Sequence, residues 1–106
     1  MKKIPVGILG ATGNVGQRFV QLLDGHPWFE VKYLCASEKS FGQRYGDIVS
    51  WKVSPKIPQK VANMKLRLCK PDFNVRVVFS SLDSSVAGPI EEEFANKGYI
   101  VISNSK

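Results

Sequence analysis

A doubly wound, parallel α/β sheet in a single domain is the fold class this sequence predicts, and three observations predict it. Residues 6–9, VGIL, form a compact apolar run that closes on Gly10 and is short enough for a buried strand. Val15, Phe19, Leu22 and Leu23 then recur at helical spacing until Gly25 and Pro27 stop the helix. Residues 29–36 alternate with the period of a second strand, Phe29, Val31, Tyr33 and Cys35 against Glu30, Lys32 and Leu34. Strand, glycine turn, helix and strand make a βαβ unit. Alternating strands and helices beyond it imply a parallel sheet with right-handed crossovers, a Rossmann-type arrangement.

Each element has its own local reason. Pro5 has no amide to give and suits the first residue of the first strand. Asn14 offers a side-chain oxygen as helix N-cap, and Val15 should face the core. Residues 37–58 carry little period and read as irregular, with a short strand around 48–53. Residues 66–69 form another short strand before Pro71, and 75–79 a buried one. Pro89 suits a first helical position, with Glu91, Glu92 and Glu93 close behind, so a helix is expected from Pro89 to Gly98. Residues 99–102 make the last strand, and 103–106 continue from its carboxyl end.

Length and composition bound the function. A chain of 106 residues with 43% hydrophobic content supports one core and is too short for two, so residues 1–106 read as one dinucleotide-binding domain with an incomplete sheet. Fifteen Lys and Arg against nine Asp and Glu give a net charge of +6, which suits an anionic partner. The positive residues are scattered and not gathered on one face, which argues against nucleic acid. No apolar run approaches the ~20 residues that cross a bilayer, and Pro5, Gly7 and Gly10 interrupt any resemblance of the N-terminus to a signal peptide. No membrane is expected, and the cytoplasm is the expected location. Cys35 and Cys69 lack a Cys-x-x-Cys spacing and read as core residues, neither nucleophiles, metal ligands nor a disulfide. His26, beside Pro27 at the opposite edge from the glycine turn, reads as structural.

The turn carries the chemistry. A helix that starts at the carboxyl edge of a buried strand points unpaired N–H groups and a partial positive charge at whatever sits there, which suits a phosphate. Gly10 permits the tight turn, Gly13 removes a Cβ that would block a pyrophosphate, and Gly16 lets the helix pack on the strand. Thr12 and Asn14 add side-chain donors. The spacing G-x-x-G-x-x-G, with a strand before and a helix after, points to a dinucleotide. Ser37, Lys39 and Ser40 follow the second strand and would welcome the 2′-phosphate of NADP, whereas Glu38 between them could instead hold the ribose hydroxyls of NAD. Ser80, Ser81, Leu82 and Asp83 follow a further strand, where the nicotinamide half would pass, and are expected to line the cofactor, with a plain turn cap the alternative for Asp83 and Ser84. Asn104 points to the same edge.

Together these residues resemble a known family. The stretch GILGATGNVGQRFVQLLDGHPWFEV is similar to the opening of aspartate-semialdehyde dehydrogenases of the archaeal and fungal type, and ASEKSFGQRYGD to their cofactor-selecting loop. The resemblance continues through VVFSSLDSSVAGPIEEEFANKGYIVISNSK and so covers nearly the whole chain. It implies reduction of aspartyl phosphate to aspartate semialdehyde with NADP, in amino-acid biosynthesis. Gly10, Thr12, Gly13, Asn14 and Val15 would then meet the pyrophosphate, Ser37, Lys39 and Ser40 the 2′-phosphate, Ser80, Ser81 and Leu82 the ribose and nicotinamide, and Asn104 the nicotinamide side of the active site. The family's usual Ser-Ala-Leu-Pro-Ser-Asp-Val-Ala is replaced here by SSLDSSVA, without the proline and with the acid moved. The resemblance also implies that the catalytic cysteine, arginine and histidine belong to a catalytic and dimerisation domain absent from this chain. The expected catalytic residues here are therefore none, the expected partners that missing domain or a second copy, and the chain alone is expected to be inactive. An N-acetyl-glutamyl-phosphate reductase-like fragment and a stand-alone nucleotide-binding or regulatory module are the alternatives.

Overall fold

The structure is a computed structural model that describes residues 3–53, 56–72 and 74–103. Strands β1 (Ile4–Leu9), β2 (Phe29–Ala36), β3 (Arg67–Leu68), β4 (Val77–Ser80) and β5 (Ile100–Ser103) form one sheet in the order β3-β2-β1-β4-β5. Its four pairings are all parallel. Helices α1 (Asn14–Leu23), α2 (Tyr45–Ile48), α3 (Gln59–Ala62) and α4 (Ser84–Asn96) complete the fold. The chain winds outward from β1 to β3, then returns to the other side of β1 for β4 and β5. That reversal separates the connections that leave β1 and β4, and a crevice opens at their carboxyl ends. The expected doubly wound parallel sheet is therefore present.

The central strands are buried on both faces, as parallel strands require, whereas the outer strand β5 is largely exposed. Val6, Ile8, Val31, Leu34, Val77 and Phe79 join Val20 and Leu23 of α1, Tyr45 of α2 and Val61 of α3 in one core. Leu9, Cys35, Val75 and Val78 pack with Phe94 of α4 in the other. Phe79 gathers Phe19 and Phe29 around it, with ring centroids 5.5 and 5.7 Å away. The alternation of β2 changes phase midway: Val6 pairs with Val31 but Gly7 with Tyr33, so Lys32 is an extra residue in the ladder. Val31 and Leu34 consequently share one face, and Tyr33 and Cys35 the other.

Several local expectations are corrected. The buried stripe of α1 is Gly16, Val20 and Leu23 with Gln17, whereas Val15 and Leu22 are exposed. The N-cap is Gly13 and no side chain caps the helix, so Asn14 is its first residue and not its cap. Pro5 is the second residue of β1. Helix α4 begins at Ser84 and holds Pro89 inside it. The Asp83 carbonyl already accepts from the amides of Val86 and Ala87, at 2.9 Å each, and Ala87 is buried, so a turn forms before the proline.

No strand forms over 48–53. Ile48 ends α2, and the segment after it bonds to a side chain: Gln17 donates from Nε2 to the Ser50 carbonyl at 3.1 Å and accepts at Oε1 from the Lys52 amide at 2.8 Å. An extended segment satisfied by one buried amide has no need of a neighbouring strand. At the other edge, His26 Nδ1 accepts from the amides of Trp28 and Phe29, at 3.0 and 3.2 Å, which is the structural role expected of it.

Cys35 and Cys69 are also corrected: they form a disulfide, with Cα atoms 5.3 Å apart and 34 residues of separation. The bulge-shifted phase of β2 turns Cys35 toward the end of β3. Each cysteine alone reads as a small core residue, since sequence spacing carries no sign of this pairing. A loop of that length, once closed, is worth about 4 kcal/mol in the chain-entropy account. Urea unfolding followed by tryptophan fluorescence should therefore show a lower midpoint in dithiothreitol than without it. An unchanged midpoint would contradict a stabilising disulfide.

Candidate functional site

Helix α1 reaches the sheet through a turn in which nearly every backbone group away from the crevice is satisfied. The amides of Gly10 and Ala11 both donate to the Cys35 carbonyl, at 3.0 and 2.9 Å, which carries the β1–β2 ladder past the end of β1. The Ala11 carbonyl accepts from the buried Tyr45 hydroxyl at 2.7 Å, and the Thr12 carbonyl from Gln17 Nε2 at 3.0 Å. Burial pushes the Tyr45 phenol up from its usual pKa, so it remains a donor. Ser81 Oγ lies 2.9 and 3.0 Å from the Leu9 and Gly10 carbonyl oxygens. The amides of Asn14, Val15 and Gly16 head α1, where helical geometry offers no backbone acceptor, and its first turn holds no acidic residue. Amides so placed can receive an anion from outside.

The three glycines separate by cause. Gly10 has φ +79°, a left-handed conformation that a side chain would strain. A Cβ on Gly16 would stand 2.2 Å from the Gly10 carbonyl oxygen and 2.8 Å from Ala11 Cα, so only glycine lets α1 sit this close to the turn. Gly13 has extended φ −78° and ψ 171°, and a Cβ there would meet nothing nearer than the Gly10 oxygen at 3.9 Å. The fold therefore requires the first and third glycines, and its own atoms give no reason for the second. Gly13 faces a cleft of about 730 Å³.

That cleft runs across the carboxyl edge of the sheet. Gly10, Thr12, Gly13, Asn14 and Val15 line its centre, Ser81, Leu82 and Asp83 one end, and Ser37, Glu38, Leu68, Cys69 and Lys70 the other. Val86, Ile90 and Glu93 of α4 form a wall. Val15, expected in the core, is 41% exposed and turns to the cleft. Ser80, expected to line it, is fully buried and donates to Glu91 Oε2 at 2.5 Å. Ser103 donates to the same oxygen at 2.8 Å. Lys39 and Ser40 lie in a 3-10 turn, 38–40, outside the lining, and the Lys39 carbonyl accepts from Gln43 Nε2 at 3.0 Å. Asn104 lies outside the described residues.

Sequence reasoning missed Gln17, Tyr45, Lys70 and the α4 wall. Lys70 had a usable signal, because it follows a short strand and so falls at the sheet's carboxyl edge. Gln17 and Tyr45 had none, because their work is to satisfy carbonyls that only the folded turn brings near. The cleft holds three acids, Glu38, Asp83 and Glu93, against one base, Lys70. Lys70 stands at the end of the cleft that also holds Ser37 and Glu38.

The comparisons agree with this geometry. The family described as semialdehyde dehydrogenase, NAD binding domain, matches residues 5–106. The chain is 47% identical over 107 residues to an aspartate-semialdehyde dehydrogenase of Saccharomyces cerevisiae, with 99% of this chain and 29% of the relative covered. It is 43% identical over 101 residues to that of Archaeoglobus fulgidus, covering 94% of this chain and 29% of the relative. A crystal structure of aspartate semialdehyde dehydrogenase with NADP from Candida albicans superposes with a TM-score of 0.94 at 45% identity, over 99% of this chain and 30% of the other. The chain thus spans about three-tenths of the length of the proteins it matches.

Chemical denaturation distinguishes the glycines. Gly16→Ala should lose about 2 kcal/mol or more, since a backbone carbonyl cannot step aside cheaply. Gly13→Ala, at a backbone conformation alanine readily adopts, should be neutral or gain about 0.5 kcal/mol. Tyr45→Phe leaves the Ala11 carbonyl without its donor and should lose about 1–3 kcal/mol. A Gly16→Ala chain as stable as the wild type would sink this account of the turn.

Proposed function

We propose, because this chain belongs to the semialdehyde dehydrogenase NAD-binding domain family, that it is the NADP-binding part of an aspartate-semialdehyde dehydrogenase. The observation that carries this reading is Gly13, a bare position whose missing Cβ the fold does not need and a pyrophosphate does. The amides of Asn14, Val15 and Gly16 receive the phosphate oxygens, with Thr12 and Asn14 adding side-chain donors. Val15 gives the cofactor an apolar surface at the cleft centre. The similar protein of known structure from Candida albicans holds NADP, which supports NADP over NAD here.

At the adenosine end, Ser37 supplies a hydroxyl to the 2′-phosphate and Lys70 the positive charge, with Lys39 and Ser40 close behind on their turn. Glu38 orients a ribose hydroxyl and is kept from repelling the phosphate by Lys70. At the other end, Ser81 and Leu82 bound the ribose and nicotinamide, Ser80 fixes the end of β4 through Glu91, and the family resemblance assigns Asn104 to the nicotinamide side. When bound, the cofactor supplies hydride transfer between its nicotinamide and the carbonyl carbon of the substrate. In this chain both cysteines are committed to each other, so the nucleophile for aspartyl phosphate belongs to a catalytic domain beyond these residues, and that domain or a second copy is the partner. Exposed Ile100 and Ile102 on the outer strand β5 supply apolar surface for such a partner.

Calorimetric titration tests the reading. NADP should bind more tightly than NAD, Gly13→Ala should weaken NADP about tenfold or more while leaving the fold intact, and Lys70→Ala should weaken NADP more than NAD. No hydride transfer should be seen with aspartate semialdehyde and phosphate from this polypeptide alone. Tighter NAD binding, or undiminished NADP binding by Gly13→Ala, would overturn the assignment.

A further inference from the structure

We infer that Cys35 and Cys69 form a reversible thiol-oxidation site that sets the affinity of the cleft for its cofactor, an inference that rests on the NADP reading above. Cys35 is fully buried near the end of β2, and its carbonyl receives both turn amides, Gly10 and Ala11. Cys69 is half-buried directly after β3 and lines the adenosine end of the cleft. One bond therefore joins the residue that anchors the phosphate turn to a residue of the adenosine wall.

That wall is entered through Leu66, bonded to Gly42 and Gln43, and Arg67, which lies over the Tyr33 ring, but its strand is short. Strand β3 is two residues long, lies at the edge of the sheet and pairs with β2 only through Cys35↔Arg67 and Ala36↔Leu68. The disulfide fixes Leu68, Cys69 and Lys70 against the end of β2, and a wall fixed before binding costs less to order on binding. The reduced pair also has a place to rest. Cys69 Sγ lies 3.8 Å from the Ala36 carbonyl oxygen, which can accept the thiol proton once the bond opens.

The chemistry needs an oxidant of the hydroperoxide class and a dithiol reductant. Cys69, reached through the cleft, attacks the O–O bond as thiolate. One oxygen stays on its sulfur as a sulfenic acid, and the other departs as alcohol or water. The Cys35 thiol then displaces the sulfenic oxygen as water and the S–S bond forms. Two electrons pass from the two sulfurs to one peroxide, and thiol–disulfide exchange with the dithiol returns them. NADP seated in the cleft covers Cys69 and slows both directions.

The test uses the whole polypeptide, reduced with dithiothreitol or oxidised with hydrogen peroxide, with intact mass and NADP titration as separate readouts. Oxidation should remove two hydrogens from the mass and tighten NADP binding about threefold or more. Bound NADP should slow the mass change. Cys69→Ser should bind NADP as the reduced chain does and ignore peroxide, with a thermal melt to show that it is folded. If that variant does not fold, the two states of the wild-type chain still decide. An unchanged mass, or equal NADP affinity in the two states, would overturn the inference while leaving the cofactor reading intact. No NADP binding in either state would overturn both.

Discussion

The approach of α1 to the Gly10 carbonyl is the contact on which the rest of the structure depends. Because Gly16 has no Cβ, the helix starts against the end of β1 instead of a side chain's width away. Val20 and Leu23 then reach the core with Ile8 and Phe79, and the free amides of the first turn arrive at the crevice where the winding of the sheet reverses. A more distant helix would lose the anion site and the packing of one sheet face together.

Around that contact the turn is held from three directions. Tyr45 comes from α2, Gln17 from α1 itself and Ser81 from the end of β4, each donating to a carbonyl of the turn or of the strand end before it. Gln17 does more, because the same amide secures Ser50 and Lys52, so the irregular segment after α2 is tied to the helix that presents the phosphate site. Residues far apart in sequence thus serve one backbone conformation. The result is a cleft centre held by several elements at once.

Much of this is legible in the sequence, and the parts that are not depend on how the elements meet. The order of strands and helices followed from apolar periodicity and from glycine and proline, which act locally. The central lining of Gly10, Thr12, Gly13, Asn14 and Ser81 followed from the rule that loops at the carboxyl edge face a ligand. Val15 faces the cleft and not the core, because helical spacing alone does not say which of two apolar stripes meets the sheet. Ser80 is buried while Ser81 lines the cleft, because one residue's shift along a strand separates a lining hydroxyl from a buried one. The cysteine pair was hidden by the phase change at Lys32, which no alternation rule anticipates. Proline at 89 gave a helix start one turn too late because the backbone bonds to the Asp83 carbonyl precede it.

Glu91 accepts hydroxyls from both Ser80 and Ser103, on neighbouring strands β4 and β5. A helix packed on a sheet through apolar side chains alone can slide along its axis at little cost, since one methyl group serves much as another. A carboxylate shared by two hydroxyls is a key with a single slot. Translating α4 by a turn would withdraw the acceptor from a fully buried serine, so the helix is indexed to the strands lengthwise as well as pressed against them. Val86, Ile90 and Glu93 sit on that indexed helix, so the cleft's wall is set with the same precision as its floor.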